Sequence, residues 1–360
     1  MTTHIATQLV RNNIRNTPAY KSARSGTGNS EAYIFLDAAE NSISPFQDED
    51  GFTPLINRYP DPQPAMLKDK LATLYDVSAN NLMLTRGSEE AIRLVLQTFC
   101  EPHQDSLLTC PPTFALYDLE TKIQSIGHVK IAREGRYYTK LNLNTIKNTL
   151  NADDENVKVV MICNPGNPSS TSVDQDDMRA LLDLCRDKAI LVIDEAYIEF
   201  AEHESYASVL SENKNLVILR TLSKAYGLAG LRCGAIIADD LILDYIARVI
   251  APYPVPRPTV ETALAALTTT RIKTMQDVQA TLKSERDRMV KALQSAPHVR
   301  RIFPSATNFL TIQVDDVEET LQKFLRNHLV IRDRSSAIAN AVNIAVSDAD
   351  TNDKVIDLFS

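Results

Sequence analysis

The spacing of apolar residues limits this chain more than any other feature. Four short runs, Asp105–Cys110, Asn156–Cys163, Ala189–Glu195 and Asn215–Arg220, are apolar at consecutive rather than alternate positions and end at turn-forming residues. A strand with one face in water alternates apolar and polar residues, whereas a strand covered on both faces does not. The runs therefore read as buried parallel strands. Segments of helical period lie between them. Leu67, Leu71 and Leu74 follow the i, i+4, i+7 rule, and a second helix opens at Ser88, read as its N-cap, with Glu89 and Glu90 in the first turn. Strands alternating with helices from about residue 64 to 250 predict an open α/β sheet with helices on both faces.

That rhythm stops at Ala251–Pro258, where four prolines in eight residues rule out helix and sheet interior and predict an extended connector. A long helical pattern follows over 259–296. Strands at 308–314 and 342–347 then flank a helix at 317–327, a smaller α+β unit expected beside the main sheet. The first 30 residues read as a polar arm ending in a flexible turn, Ser25–Ser30. At 360 residues, 44% hydrophobic and 23% charged, the chain is long enough for two or three domains and can bury a sizeable core without staples. A net charge of −8 argues against nucleic acid or an anionic membrane as partner. The N-terminus lacks an apolar leader core and no run of about 18 apolar residues occurs, so the expected location is the cytoplasm. The five cysteines, 100, 110, 163, 185 and 233, form neither a disulfide framework nor a metal pattern and are expected to be buried free thiols, with no metal site.

Open α/β sheets bind ligands outside the carboxyl ends of their strands. The informative residues follow the apolar runs in this way. Asn164-Pro165-Gly166-Asn167-Pro168 follows the second run, Asp194-Glu195-Ala196-Tyr197 closes the third, and Thr221-Leu222-Ser223-Lys224 follows the fourth. A lysine expected to be buried at a strand end is costly as a structural residue, but with a lowered pKa it can form a Schiff base with an aldehyde cofactor. Pyridoxal phosphate also needs a carboxylate at its ring nitrogen, a donor at its phenolate oxygen and several donors for its phosphate. Asp194 meets the first need, Tyr197 with Asn167 the second, and Ser223 with Arg232 the third.

The string Ser223–Gly234, S-K-A-Y-G-L-A-G-L-R-C-G, resembles the lysine motif of fold-type I aminotransferases. From about Tyr20 onward the chain resembles the histidinol-phosphate aminotransferase family. The resemblance is carried by L-D-A-A-E-N, N-R-Y-P-D-P-Q-P, R-G-S-E-E-A-I, C-P-P-T-F-A-L-Y, C-N-P-G-N-P, D-E-A-Y-I-E-F, the I-A-P-Y-P-V connector and V-I-R-D. It implies the α/β fold of the pyridoxal phosphate transferases, with a large domain built on a mostly parallel sheet and a smaller α+β domain drawn from both chain ends. The boundaries expected are an arm at 1–30, a small domain at 31–55 and 254–360, and a large domain at 56–253. It further implies that Lys224 forms the internal aldimine and then acts as acid and base, that Asp194 pairs with the pyridinium nitrogen, and that Tyr197 and Asn167 bond the phenolate oxygen. Gly87-Ser88-Glu89 would hold the phosphate at a helix N-terminus together with Ser223 and Arg232, and Phe114 would stack on the ring. Tyr59 would reach the cofactor of a neighbouring subunit, making the active unit a homodimer. Tyr20 and Arg332 would line the substrate side.

One departure from the family pattern bears on substrate. Where the family has an arginine that grips the substrate's anionic end, this chain has Asn343, in A-V-N-I-A-V-S. A neutral amide does not replace a bidentate guanidinium. Either Arg332 or Arg334 compensates, or the alignment slips locally, or the substrate lacks that anion. The expected reaction is ping-pong transamination between L-histidinol phosphate and 2-oxoglutarate, in histidine biosynthesis. The alternative is a paralogous aminotransferase, or a decarboxylase of a phosphorylated amino acid. A non-catalytic module would lack the lysine or the aspartate. A nicotinamide dehydrogenase would need G-x-G-x-x-G after a strand, whereas Gly26–Gly28 is only G-x-G and follows none.

Overall fold

The computed structural model describes residues 3–22, 35–41, 43, 56–152 and 155–360; the Ser25–Ser30 turn, the Gly26–Gly28 motif and most of the 31–55 segment lie outside the described residues. The main sheet has seven strands: β1 Leu82–Thr85, β2 Ser106–Thr109, β3 Gly127–Lys130, β4 Val157–Cys163, β5 Ile190–Asp194, β6 Leu216–Thr221 and β7 Gly234–Ala238, in the order β1-β7-β6-β5-β4-β2-β3. Neighbours from β6 through to β3 pair in parallel, and β7 alone runs against the rest. The four consecutive-apolar runs are β2, β4, β5 and β6, and β5 and β6 are buried at every position. Two apolar clusters explain the absence of alternation. One packs Leu108, Val160, Leu191 and Ile218 under the helices of one face, and the other packs Leu107, Val159, Val192 and Val217 under those of the opposite face. Each such side chain contributes about 1.5–3 kcal/mol on burial.

Several expectations are revised. Residues 5–15 are not a free arm. Short helices Ile5–Leu9 and Asn12–Arg15 bury Ile5, Leu9, Val10 and Ile14 in the cluster that holds the helix Ser88–Phe99. Arg11 reinforces the docking through Glu101 (3.2 Å) and the Gln97 carbonyl (2.9 Å). The 259–296 pattern is two helices, Arg257–Ala266 and Thr269–Leu293, because Thr268 caps the second through the Arg271 N–H. The first of these begins inside the proline run, with Pro258 in its first turn, where a missing N–H costs nothing. It packs with the main sheet, since Val255, Ala263 and Leu267 share the cluster of Leu191 and Ile218.

The smaller unit is a four-stranded antiparallel sheet, β8 Val299–Ile302, β9 Phe309–Val314, β10 Arg332–Asp333 and β11 Ala341–Ala345, ordered β10-β11-β9-β8. The helices Thr269–Leu293, Val317–Arg326 and Ala349–Phe359 cover it around Leu310, Ile312, Phe324 and Phe359. It meets the loop after β4 through two bonds to the Pro168 carbonyl, from Thr311 Oγ1 at 2.6 Å and Asn343 Nδ2 at 3.1 Å. All five cysteines are buried free thiols, as expected. Among the described residues no helix is long and apolar enough to cross a membrane.

Candidate active site

The carboxyl ends of β4, β5 and β6 open into a cavity lined by side chains from all three strand ends. Nine of the expected residues line it: Ser88, Glu89, Phe114, Asn167, Asp194, Tyr197, Ser223, Lys224 and Arg232. Tertiary contacts add Cys163, Ala196 and Thr221, which the sequence did not single out.

Asp194 ends β5 between Cys163 of β4 and Leu219 of β6, only 3% exposed. Burial pushes its carboxyl up to about 6, while the bond from Tyr117, the Ala196 N–H and the charge of Lys224 pull the other way. The Tyr117 hydroxyl donates to Oδ2 at 2.9 Å and the Ala196 N–H to Oδ1 at 3.2 Å. Tyr117 is wholly buried, and its phenol is held protonated by desolvation and by Asp194. It lies three residues after Phe114, whose ring it meets edge-on at 5.8 Å. Its place at the end of C-P-P-T-F-A-L-Y gives no sign of this role, since only the fold carries it to Asp194.

Tyr197 accepts a hydrogen bond from Asn167 Nδ2 at 3.3 Å, and burial raises its phenol pKa. Lys224 Nζ lies 5.6 Å from the Tyr197 ring centroid. The sequence predicted a buried lysine, but Lys224 is exposed in the open cavity. Its chain neighbours Leu222 and Ala225 take the buried positions of the turn after β6 and leave Ser223 and Lys224 facing out.

At the far end, the helix Ser88–Phe99 has Gly87, not Ser88, as its N-cap, and no side chain caps it. Its first-turn N–H groups remain available. Gly87 has φ +79°, a left-handed conformation that a side chain strains, and a Cβ there would lie 2.9 Å from Arg232 Nη2. A Cβ on Gly234 would lie 2.8 Å from Gly87 Cα, so the two glycines let this turn close against β7. Arg232 donates through Nη1 to Ser223 Oγ at 3.3 Å and through Nη2 to Glu89 Oε2 at 3.2 Å, and Thr221 Oγ1 donates to Ser223 Oγ at 2.9 Å. This end combines a guanidinium, hydroxyls and free N–H groups, a donor set that fits a phosphate. Asp194 is a desolvated carboxylate in want of a cation, which fits a protonated ring nitrogen. The residues present therefore fit pyridoxal phosphate.

Other expected residues lie elsewhere. Tyr20 is exposed and does not line this cavity, and Tyr59 stacks on Tyr253 at 4.5 Å beside a separate groove. Arg332 is exposed on β10, in register with Asn343 of β11. Arg334 is half-buried, with Nη2 3.5 Å from Asn167 Oδ1.

Residues 36–358 match the aminotransferase class I and II family, and the chain belongs to that family. It is a pyridoxal phosphate-dependent transferase. Its relatives include histidinol-phosphate aminotransferase 1 of Haemophilus influenzae strain 86-028NP, 37% identical over 353 residues, 98% of this chain and 97% of that one. The histidinol-phosphate aminotransferase of Escherichia coli O127:H6 is 35% identical over 359 residues, 99% and 98% of the two chains. The histidinol-phosphate aminotransferase of Clostridium acetobutylicum shares the fold, with TM-score 0.75 and 22% identity over 84% of this chain and 90% of that one.

Proposed function

We propose that the chain transfers the amino group of L-histidinol phosphate to 2-oxoglutarate, giving imidazole-acetol phosphate and L-glutamate in alternating half-reactions at one site. Relatives of that name along nearly the whole chain support this reading. The observation that carries it is one cavity with an amine, Lys224, between a buried carboxylate, Asp194, and a phosphate-type donor set at Arg232. Pyridoxal phosphate, when bound, supplies an aldehyde to take up the amino group and a ring that withdraws electrons from the carbon bearing it.

The chain's own residues do the remainder. Asp194 holds a proton at the ring nitrogen, and the Tyr117 hydroxyl and Ala196 N–H fix the direction of its carboxylate. Asn167 and Tyr197 donate to the phenolate oxygen, and Phe114 covers one ring face. The N–H groups of Gly87, Ser88 and Glu89, with Ser223 and Arg232, hold the phosphate, for which Glu89 must yield its pairing with Arg232. Lys224 Nζ moves the proton between the two carbons that exchange the amino group, and its open position gives it access to substrate. Tyr20 and Arg332 belong to the substrate side. Tyr59 serves the neighbouring subunit's cofactor, so the working unit is a homodimer in the cytoplasm. The domain division follows the two sheets: the large domain of 56–253 also takes residues 5–15 and 255–267, which pack in its clusters, and the small domain is built on the four-stranded sheet and its covering helices.

The test is a donor panel with and without phosphate, alongside Lys224→Ala. Histidinol phosphate is expected to be the best donor, and Lys224→Ala is expected to lose both visible absorption and turnover. Unchanged turnover in that variant would sink the mechanism. A better donor elsewhere in the panel, or carbon dioxide release, would favour the paralogue or decarboxylase reading that Asn343 raises.

A further inference from the structure

We propose that Arg334 grips the anionic end of the substrate in this chain, with Arg332 as its outer partner, in place of an arginine at position 343. This rests on the aminotransferase reading and names how that site recognises its substrate class, molecules ending in a carboxylate or phosphate.

Asn343 cannot do it. Its amide nitrogen is committed to the Pro168 carbonyl at 3.1 Å and Thr311 Oγ1 at 3.4 Å. What remains is Oδ1, a buried acceptor without a partner, which repels an anion. The asparagine instead ties β11 to the loop that carries Asn167. The positive charge lies across the strand pair. Arg332 is in register with Asn343, and the Arg334 N–H continues the ladder to the Ala341 carbonyl at 2.9 Å. Side chains two residues apart on a strand share a face, so 332, 334 and 343 all project on the face turned towards the Asn167–Pro168 loop.

Arg334 reaches furthest in. Its Nη2 lies 3.5 Å from Asn167 Oδ1, at the upper limit for a bond, and its Nε is buried with no partner. The Asp333 carboxylate is held by the N–H and hydroxyl of Ser335 at 2.7 and 2.6 Å and forms no ion pair with Arg334, which feels its charge less than that of Arg332. Among the described residues no carboxylate forms an ion pair with Arg332 or Arg334. Burial and the neighbouring charge of Arg332 lower the Arg334 pKa, while Tyr197 and Asp333 pull the other way. Two adjacent cations, one half desolvated and neither matched, form a fork for an oxyanion beside the residues expected to bind the cofactor.

The experiment uses cofactor-loaded Arg334→Gln, Arg334→Lys and Arg332→Gln. Donors are glutamate, histidinol phosphate and unphosphorylated histidinol, and succinate is the unreactive anion, titrated by its effect on cofactor absorption. Arg334→Gln is expected to raise KM for glutamate and histidinol phosphate, and the succinate dissociation constant, by about 10- to 100-fold, the loss of a charge-assisted fork. Histidinol, which lacks the phosphate, should lose markedly less than glutamate or histidinol phosphate, and cofactor absorption should persist. Arg334→Lys should fall between, and Arg332→Gln should show a smaller rise. Unchanged KM in Arg334→Gln, equal loss on histidinol and histidinol phosphate, or parity of the lysine and glutamine variants would overturn the assignment. If histidinol phosphate is no substrate, the donor reading fails while the glutamate and succinate arms still decide the role of Arg334.

Discussion

Asp194→Asn separates what the site costs from what it does. Folding moves this carboxyl from 3.8 to about 6 because burial outweighs the two hydrogen bonds it accepts. The folded state thus binds the proton more tightly than the unfolded chain. The stability this confers is complete below pH 3.8 and is lost as pH rises through about 6. Near neutral pH the cofactor-free protein carries a buried carboxylate at a cost of about two pKa units, about 3 kcal/mol. Asparagine keeps the shape without the charge. Its oxygen can accept from the Ala196 N–H, and its nitrogen can donate to the Tyr117 oxygen once that hydroxyl turns. The cofactor-free variant should therefore melt about 4 °C higher than wild type at about pH 7.5, given an unfolding entropy of roughly 2 cal/mol/K per residue. The gain should shrink to about a third at about pH 4.5. Cofactor affinity should fall, since nothing then holds a proton at the ring nitrogen. Differential scanning fluorimetry of both proteins at one concentration, with a pyridoxal phosphate titration, measures these effects. A variant no more stable than wild type near pH 7.5, or a gain equal at both pH values, would refute the claim that Asp194 is strained by desolvation.

Tyr117→Phe removes a bond to an ionised partner, worth about 1.5–3 kcal/mol, and should raise the Asp194 pKa further and weaken cofactor binding about tenfold, read by fluorescence titration. Gly87→Ala places a Cβ 2.9 Å from Arg232 Nη2 at φ +79°. About 1–2 kcal/mol of backbone strain and a displaced Arg232 should lower phosphate-end affinity, seen as a higher pyridoxal phosphate dissociation constant with pyridoxal itself little affected. Leu9→Ala should cost about 2–4 kcal/mol, seen as a lower Tm in thermal melts, while leaving cofactor absorption intact, because Leu9 is buried under the sheet and far in role from the cavity.

The sheet was legible because full burial on both faces writes itself as consecutive apolar residues, which is why β2, β4, β5 and β6 could be read directly. β3 could not, since this edge strand has no buried position to leave an apolar run, and the pairing of β1 with the antiparallel β7 is set by the neighbours they meet. Asp194, Tyr197, Asn167, Ser223 and Lys224 were legible for a related reason: parallel strands end on one edge, so residues just beyond each apolar run converge.

Residue order places the chemical groups at those strand ends, and with them the cofactor chemistry. Tertiary structure alone decided which of those groups are dry and which are wet. It buried Asp194 and set Tyr117 on it, left Lys224 open, docked residues 5–15 onto a helix about 80 residues further along, and brought Arg334 to the side chain of Asn167. Desolvation and hydrogen-bond partnership depend on what surrounds a side chain in three dimensions, and residue order carries no direct record of them.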